Sequence, residues 1–421
     1  KVYWSDGAQL PPEKAMAIAA VMAERDVFDI KTMDYDEALS KGLITLMGEE
    51  TDRAFLEKVM AQSVDGSGLR KVADSFRMVY TPFHGTGYRL VPRALRDLGV
   101  KHLYCVEEQM VPDGTFPTVD SPNPENPESF ALAIEYAQRH RADFILGTDP
   151  DADRVGIMVR DKSGVFRPVT GNQTGALLLD YLISAKKRTG TLPEKAVALK
   201  TIVTTELARK IAERYGVRCI DTFTGFKFMA EKKNALEAAG EGKVFFAYEE
   251  SYGYMLGDFV RDKDAVTASL LLTEMAAWYA SQGMTLFDAL EALYAKHGRH
   301  SEKTVNLLMP GVQGMQRMKA LMENLRANPP RAIGDLAVAA VTDYLTGERT
   351  AGPNREKIEL MGSNVLRFEL EDGTSVLVRP SGTEPKMKVY VLTRGETERD
   401  CQEKIDRCEA WARDLNNQFA G

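Results

Sequence analysis

Cysteine is scarce in this chain, with four in 421 residues. Cys105, Cys219, Cys401 and Cys408 form no Cys-x-x-Cys pair and no zinc spacing. That excludes a disulfide-stapled scaffold and a zinc ribbon, and fits free thiols in a reducing cytoplasm. Long apolar runs are also missing, and no secretory signal opens the chain, so neither a membrane span nor a membrane partner is expected. Basic residues are outnumbered: 54 Lys and Arg against 61 Asp and Glu give a net charge of −7. With a pI near 5.5, that balance argues against a general nucleic-acid binder. An initiator Met is absent too. The chain starts abruptly at Lys1-Val2-Tyr3-Trp4, as a fragment of a longer protein would.

What remains is an ordinary globular composition, 44% hydrophobic and 27% charged, too long for one core. Three or four domains are expected. The most informative stretch is Thr148-Asp149-Pro150-Asp151-Ala152-Asp153-Arg154, directly after the apolar run Phe144-Ile145-Leu146. Such a run reads as a buried strand ending in a polar loop. Three alternating carboxylates in a tight loop can turn their oxygens to one centre, which suits a hard cation such as Mg²⁺. Arg154 adds a permanent cation beside it, ready for a phosphate. An EF-hand reading fails, because Arg154 and Arg160 stand where Gly and Glu are required. An aspartyl phosphatase with a nucleophilic Asp151 fits loosely, and a solvated acidic turn is the bland alternative.

Along the chain, strands and helices alternate. Strands are expected at 77–80, 102–106, 144–146 and 155–160, with helices at 90–98 and 129–139, which implies an α/β layer with its site at strand carboxyl ends. Residues 112–127 form a long Pro-, Asp- and Asn-rich loop of the kind that often carries function. His84, in the Gly-rich turn 83–87, is more readily structural than a base. A helix at 171–187 leads into a charged linker at 186–194, and 65–68 reads as a boundary loop. Alternation then resumes with strands at 196–200, 218–221 and 243–247 and helices at 205–215 and 226–239. Beyond residue 300 the pattern becomes a smaller α+β unit. It has a helix at 311–325, strands at 302–308, 357–360, 365–370 and 375–378, and a closing helix at 396–415.

Three further loops carry chemistry. Thr224 and Gly225 follow one strand; Glu249, Glu250, Ser251 and Gly253 follow the next. Carboxylate and hydroxyl acceptors at a strand end suit sugar hydroxyls. Asp264 is a natural N-cap for a helix at 265–279, and Lys263 beside it is a candidate general acid/base. Arg379, Ser381, Gly382 and Thr383, in one turn, combine a fork of donors, hydroxyls and close backbone approach into a phosphate nest.

Taken together, the motifs at 148–154, 224–227 (Thr-Gly-Phe-Lys), 249–253 (Glu-Glu-Ser-Tyr-Gly) and 379–385 (Arg-Pro-Ser-Gly-Thr-Glu-Pro) resemble the α-D-phosphohexomutase family, in its bacterial phosphoglucomutase/phosphomannomutase branch. The resemblance covers essentially the whole chain. It implies a multi-domain α/β fold, successive mixed sheet-and-helix domains around a central cleft plus a C-terminal α+β domain. The expected divisions are 1–76 (the rear of a truncated first domain), 77–190 (metal), 191–298 (sugar) and 299–421 (phosphate).

The resemblance also implies roles. Asp149, Asp151 and Asp153 would hold Mg²⁺, and Arg154 would assist at the transferring phosphate. Glu249 and Ser251, supported by Thr224 and Gly225, would hold the sugar. Arg379, Ser381, Gly382 and Thr383 would hold the idle phosphate, and Lys263 would assist proton transfer. The implied reaction interconverts hexose 1- and 6-phosphates, glucose ahead of mannose, through glucose 1,6-bisphosphate. Its partners would be small sugar phosphates, in a cytoplasmic monomer or homodimer. The family's phosphoserine loop, Thr-Ala-Ser-His-Asn-Pro, is not found in this sequence, so this chain alone is expected to bind without turning over. A non-catalytic, metal-dependent sugar-phosphate binder is the alternative from another class.

Overall fold

A computed structural model of the protein describes residues 1–309, 313–381 and 385–418. The chain divides into two units, Lys1–Leu199 with Gly225–Phe287, and Lys200–Thr224 with Asp288–Gly421.

In the first unit, β1 (Arg77–Thr81), β2 (His102–Cys105), β3 (Phe144–Thr148), β4 (Val155–Arg160) and β5 (Phe166–Val169) form one sheet in the order β2-β1-β3-β4-β5. β1 runs parallel to β2 and β3, and β4 and β5 return antiparallel. Every residue of β3 is buried, as its unbroken apolar run requires of a central strand covered on both faces. Val79, Phe83, Phe130, Ala133, Ala137 and Ile145 form a core beside it. The turn between β3 and β4 is the acidic loop, so the site lies at the carboxyl end of a central strand.

Further on come β6 (Ala196–Thr201), β7 (Arg218–Thr222), β8 (Lys243–Tyr248) and β9 (Tyr254–Leu256). β8 lies between β6 and β9, antiparallel to β9. The helix Gly171–Thr189 opens with a capping box between Thr170 and Gln173. It runs two residues past the expected end at 187, through Arg188 and Thr189, into the stretch 186–194 read as a linker. Basic residues in a last turn complement the helix dipole, and a left-handed Gly190 ends it. Of the loop expected at 65–68, Ser67 and Gly68 instead open the helix Ser67–Val72. A Cβ on Gly68 would come within 2.5 Å of the Trp278 Cα, so this glycine lets two helices touch.

The second unit is built on an antiparallel sheet of β10 (Arg299–Leu308), β11 (Ala332–Ile333), β12 (Leu336–Asp343), β13 (Glu348–Ala351), β14 (Asn354–Lys357), β15 (Leu366–Leu370), β16 (Ser375–Pro380) and β17 (Lys386–Gly395). The order is β10-β17-β16-β15-β12-β13-β14, with β11 on β12. The helices Gly314–Ala327 and Glu398–Gln418 complete the α+β unit, and Met318, Leu321, Phe368, Val389 and Ile405 share its core. The sequence reading missed β11, β12, β13 and β17, and placed at 357–360 a strand that lies at β14.

Two carboxylates, one fully buried and one partly buried, give tests of this packing. Glu274, on the helix Ala265–Ala280, is fully buried. It accepts from the backbone N–H groups of Val64 and Asp65, both at 3.1 Å, and from the Tyr181 hydroxyl at 2.8 Å. Glu274→Ala leaves these donors unsatisfied, so a loss of about 3 kcal/mol is expected in urea unfolding. A loss under about 0.5 kcal/mol, typical of an idle surface site, would contradict the packing.

Glu302, in β10, has its pKa pushed up to about 7 by burial, partly offset by Thr205 and the Lys200 ammonium. The folded state therefore holds this proton more tightly than the unfolded chain does. Stability is lost as pH rises from the unfolded carboxyl value toward 7. Glu302→Gln should raise the melting temperature relative to the parent more at pH 8 than at pH 5. An equal shift at both pH values would refute the assignment.

Candidate active site

The acidic loop is folded by its first aspartate. Asp149 is buried, and its Oδ1 accepts from the backbone N–H groups of Asp153 at 3.0 Å and Arg154 at 2.9 Å. Its Oδ2 accepts from Arg154 Nε at 2.7 Å. Burial pushes the Asp149 pKa up, and the hydrogen bonds and charge of Arg154 pull it back. Ala152 takes the left-handed conformation, φ 54°, which turns the backbone so that Asp151 and Asp153 come round beside Asp149. One oxygen from each of the three carboxylates lies within 4.8 Å of the others, Asp151 being the exposed member.

This donor set fits a hard divalent cation. Magnesium takes six oxygens at roughly 2.0–2.1 Å and commonly keeps several waters. The cluster already attracts cationic groups: Lys1 pairs with Asp153, and the Lys263 Nζ lies 3.2 Å from Asp153 Oδ1.

The Gly-rich turn supports the loop from below. A Cβ on Gly85 would sit 2.3 Å from the Pro150 Cα, so only glycine permits this approach, and the Thr86 N–H then donates to the Pro150 carbonyl at 2.8 Å. His84 is buried, with Nδ1 3.0 Å from the Val111 carbonyl and Nε2 2.9 Å from the Thr118 hydroxyl. It secures the 112–127 loop, in keeping with a structural role.

The second loop is joined to the first by backbone. Arg154 and Gly253 form an antiparallel bridge, and the Val155 N–H donates to the Tyr252 carbonyl at 3.1 Å. The buried Glu249 accepts from the Gly225 N–H at 2.6 Å, while the Ser251 hydroxyl stands 3.5 Å from its other oxygen. Gly171 makes room for this loop, since its Cβ would be 2.0 Å from the Glu250 carbonyl oxygen. Thr224 directly precedes Gly225.

Lys263 arrives by a third route. Asp264 caps the helix Ala265–Ala280, accepting from Val266 N and Thr267 N, each at 3.0 Å, as its place before the helix predicts. The Ala265 N–H donates to the Ala152 carbonyl at 3.0 Å. Gly253 leaves space for the Lys263 side chain, whose Cδ would be 2.7 Å from an added Cβ. Asp149, Asp151, Asp153, Arg154, Gly225, Glu249, Ser251 and Lys263 are thus gathered within the first unit.

Arg379 and Ser381 belong to the second unit. Arg379 is in β16 opposite Lys388 of β17, and the Ser381 N–H closes the hairpin on the Lys386 carbonyl at 2.9 Å. Gly382 and Thr383 lie outside the described residues.

Sequence reasoning missed the partners of Arg154 in the 112–127 loop. Glu125 accepts from its Nη1 at 3.0 Å, with Asn123 Oδ1 at 3.4 Å. The loop's length and Asn-Pro-Glu composition were the only signals, and they named no residue.

Comparisons with known proteins bear on this arrangement. Three sequence profiles match the chain: phosphoglucomutase/phosphomannomutase alpha/beta/alpha domain II over residues 53–164, alpha/beta/alpha domain III over 170–297, and the C-terminal domain over 316–407. The phosphoglucomutase of Staphylococcus aureus strain MSSA476 is 35% identical over 409 residues, covering 96% of this chain and 72% of its own length. That of strain USA300 is 36% identical over the same span. Among solved structures, a Thermus thermophilus protein with a provisional phosphomannomutase name shares the fold, with a TM-score of 0.66 and 21% identity over 98% of this chain and 73% of its own. The Paramecium phosphoprotein pp63/parafusin, a phosphoglucomutase in open form, shares it with a TM-score of 0.60 and 17% identity, over 87% of this chain and 62% of its own. With identity above 30% along nearly its whole length and three consecutive domain matches, this chain belongs to the phosphoglucomutase/phosphomannomutase branch of the α-D-phosphohexomutase family.

Proposed function

We propose that this protein interconverts hexose 1-phosphate and hexose 6-phosphate, glucose ahead of mannose, by way of a phosphoserine and glucose 1,6-bisphosphate. The observation that carries the reading is the Arg154–Gly253 bridge. It joins a three-carboxylate loop to a carboxylate-and-hydroxyl loop, so a phosphoryl group and a sugar hydroxyl are served at one place.

Asp149, Asp151 and Asp153 would hold Mg²⁺, which when bound supplies neutralising charge to the moving phosphoryl group. Arg154 contributes a guanidinium fork at that phosphate. Glu249 and Ser251, with the Thr224–Gly225 turn, accept and donate to sugar hydroxyls in either orientation of the bisphosphate. Lys263, whose Nζ lies 3.2 Å from Asp153 Oδ1, would pass a proton to or from the sugar oxygen that gains or loses phosphate. Arg379, Ser381, Gly382 and Thr383 would hold the idle phosphate. The divisions 1–76, 77–190, 191–298 and 299–421 assign one such task to each domain after the first. A cytoplasmic monomer or homodimer suits these diffusible substrates.

The phosphoseryl donor is the part this sequence does not show, since none of its serines lies in Thr-Ala-Ser-His-Asn-Pro. The test is a coupled glucose 1-phosphate to glucose 6-phosphate assay with Mg²⁺ and a trace of glucose 1,6-bisphosphate. It is run on this chain and on a version extended upstream. Turnover in the extended version alone is expected; turnover in neither, with the bisphosphate still bound, would favour a binding protein.

The two kinds of aspartate should separate. Asp151 is exposed and has no backbone duty, so Asp151→Asn should weaken Mg²⁺ binding by about tenfold or more with the melting temperature kept. Asp149→Asn disturbs the loop's own hydrogen bonds and should lower both. Equal loss of stability in the two variants would overturn this division of labour.

A further inference from the structure

The Arg154 guanidinium is held on two edges. Nε donates to Asp149 and Nη1 to Glu125, at 2.7 and 3.0 Å. Nη2 makes no hydrogen bond or ion pair among the described residues. Asp149 alone would fix one edge and leave the plane free to swing about that bond. A second acceptor on Nη1 fixes the plane.

Glu125 is itself held. Its N–H donates to Asn123 Oδ1 at 3.0 Å, the same oxygen that faces Arg154 Nη1 at 3.4 Å. The Asn126 N–H donates to the Asn123 carbonyl at 3.0 Å, and its side chain donates to the Ser121 hydroxyl at 2.9 Å. The Ser129 hydroxyl reaches the Ser121 carbonyl at 2.6 Å. Pro124 packs on β4 where Gly156 has no side chain: an added Cβ would be 2.8 Å from the Pro124 Cβ and 2.9 Å from its carbonyl oxygen. The loop is therefore built to bring one carboxylate to one guanidinium.

Stability does not account for the pair. The Glu125 and Arg154 side chains are 42% and 26% exposed, and ion pairs so open to water contribute little. Charge does not account for it either. A carboxylate beside an arginine intended for phosphate subtracts from the arginine's field, so its gain has to be geometric. We propose that Glu125, seated by Asn123, is a positioning residue that orients the Nη2 group of Arg154 toward the transferring phosphate. This rests on the reading of Arg154 as a phosphate ligand.

The test is a double-mutant cycle on this chain, with glucose 1,6-bisphosphate binding measured calorimetrically in Mg²⁺. Glu125→Ala should weaken binding roughly tenfold, and by less than about twofold in an Arg154→Lys background, where there is no fork to orient. Glu125→Gln, which keeps an acceptor oxygen, should stay near the parent, and all variants should keep the parent melting temperature. Equal losses in both backgrounds, or tighter binding in Glu125→Ala from removal of its charge, would overturn the proposal. An Arg154→Lys variant that binds like the parent would refute the role of Arg154 and leave Glu125 nothing to position. A parent chain that does not bind the bisphosphate at all would sink the sugar-phosphate reading, and this proposal with it.

Discussion

One buried carboxylate organises the site. Asp149 sits at the end of a fully buried strand, where an unpaired charge would be prohibitive. It is tolerated because its two oxygens collect two backbone N–H groups and one guanidinium nitrogen. Those same bonds close the loop into a turn that sets Asp151 and Asp153 beside it. They also tie the guanidinium of Arg154 to the carboxylate cluster. The desolvation of Asp149 and the geometry of its neighbours are one constraint, and the bridge to Gly253 extends it to the next loop.

The surrounding backbone bears the marks of that constraint. Ala152 and Tyr252 are non-glycine residues at φ 54° and 66°, conformations that persist only where surrounding structure holds them. Gly85, Gly171 and Gly253 stand where any Cβ would meet atoms of the opposing segment within 2.7 Å. The loops are thus interlocked by close approach at these glycines, while the exposed ion pairs on their rims contribute little stability.

Much of this could be read from the sequence, for local reasons. An unbroken apolar run before alternating aspartates identifies a buried strand and its loop, and Asp264 before an apolar helix identifies a cap. What could not be read depends on contacts distant in the chain. Glu125 meets Arg154 across 29 positions, and Gly171 meets Glu250 across most of a domain. The last turn of the helix Gly171–Thr189 ran past its expected end because charge there serves a helix end rather than solvent alone. In the second unit, β12 to β14 were obscure because their outer members are polar. β14 is exposed throughout, so its identity comes from pairing with β13 and not from its own pattern.

The proposed chemistry requires the acidic loop to hold a cation against a phosphate. Electron–nuclear double resonance of Mn²⁺ bound to this chain, with and without glucose 1,6-bisphosphate, addresses that directly. A ³¹P coupling to the bound Mn²⁺ is expected to appear with the bisphosphate and to disappear in Asp151→Asn. Mn²⁺ bound at the three aspartates without any ³¹P coupling at saturating bisphosphate would contradict it.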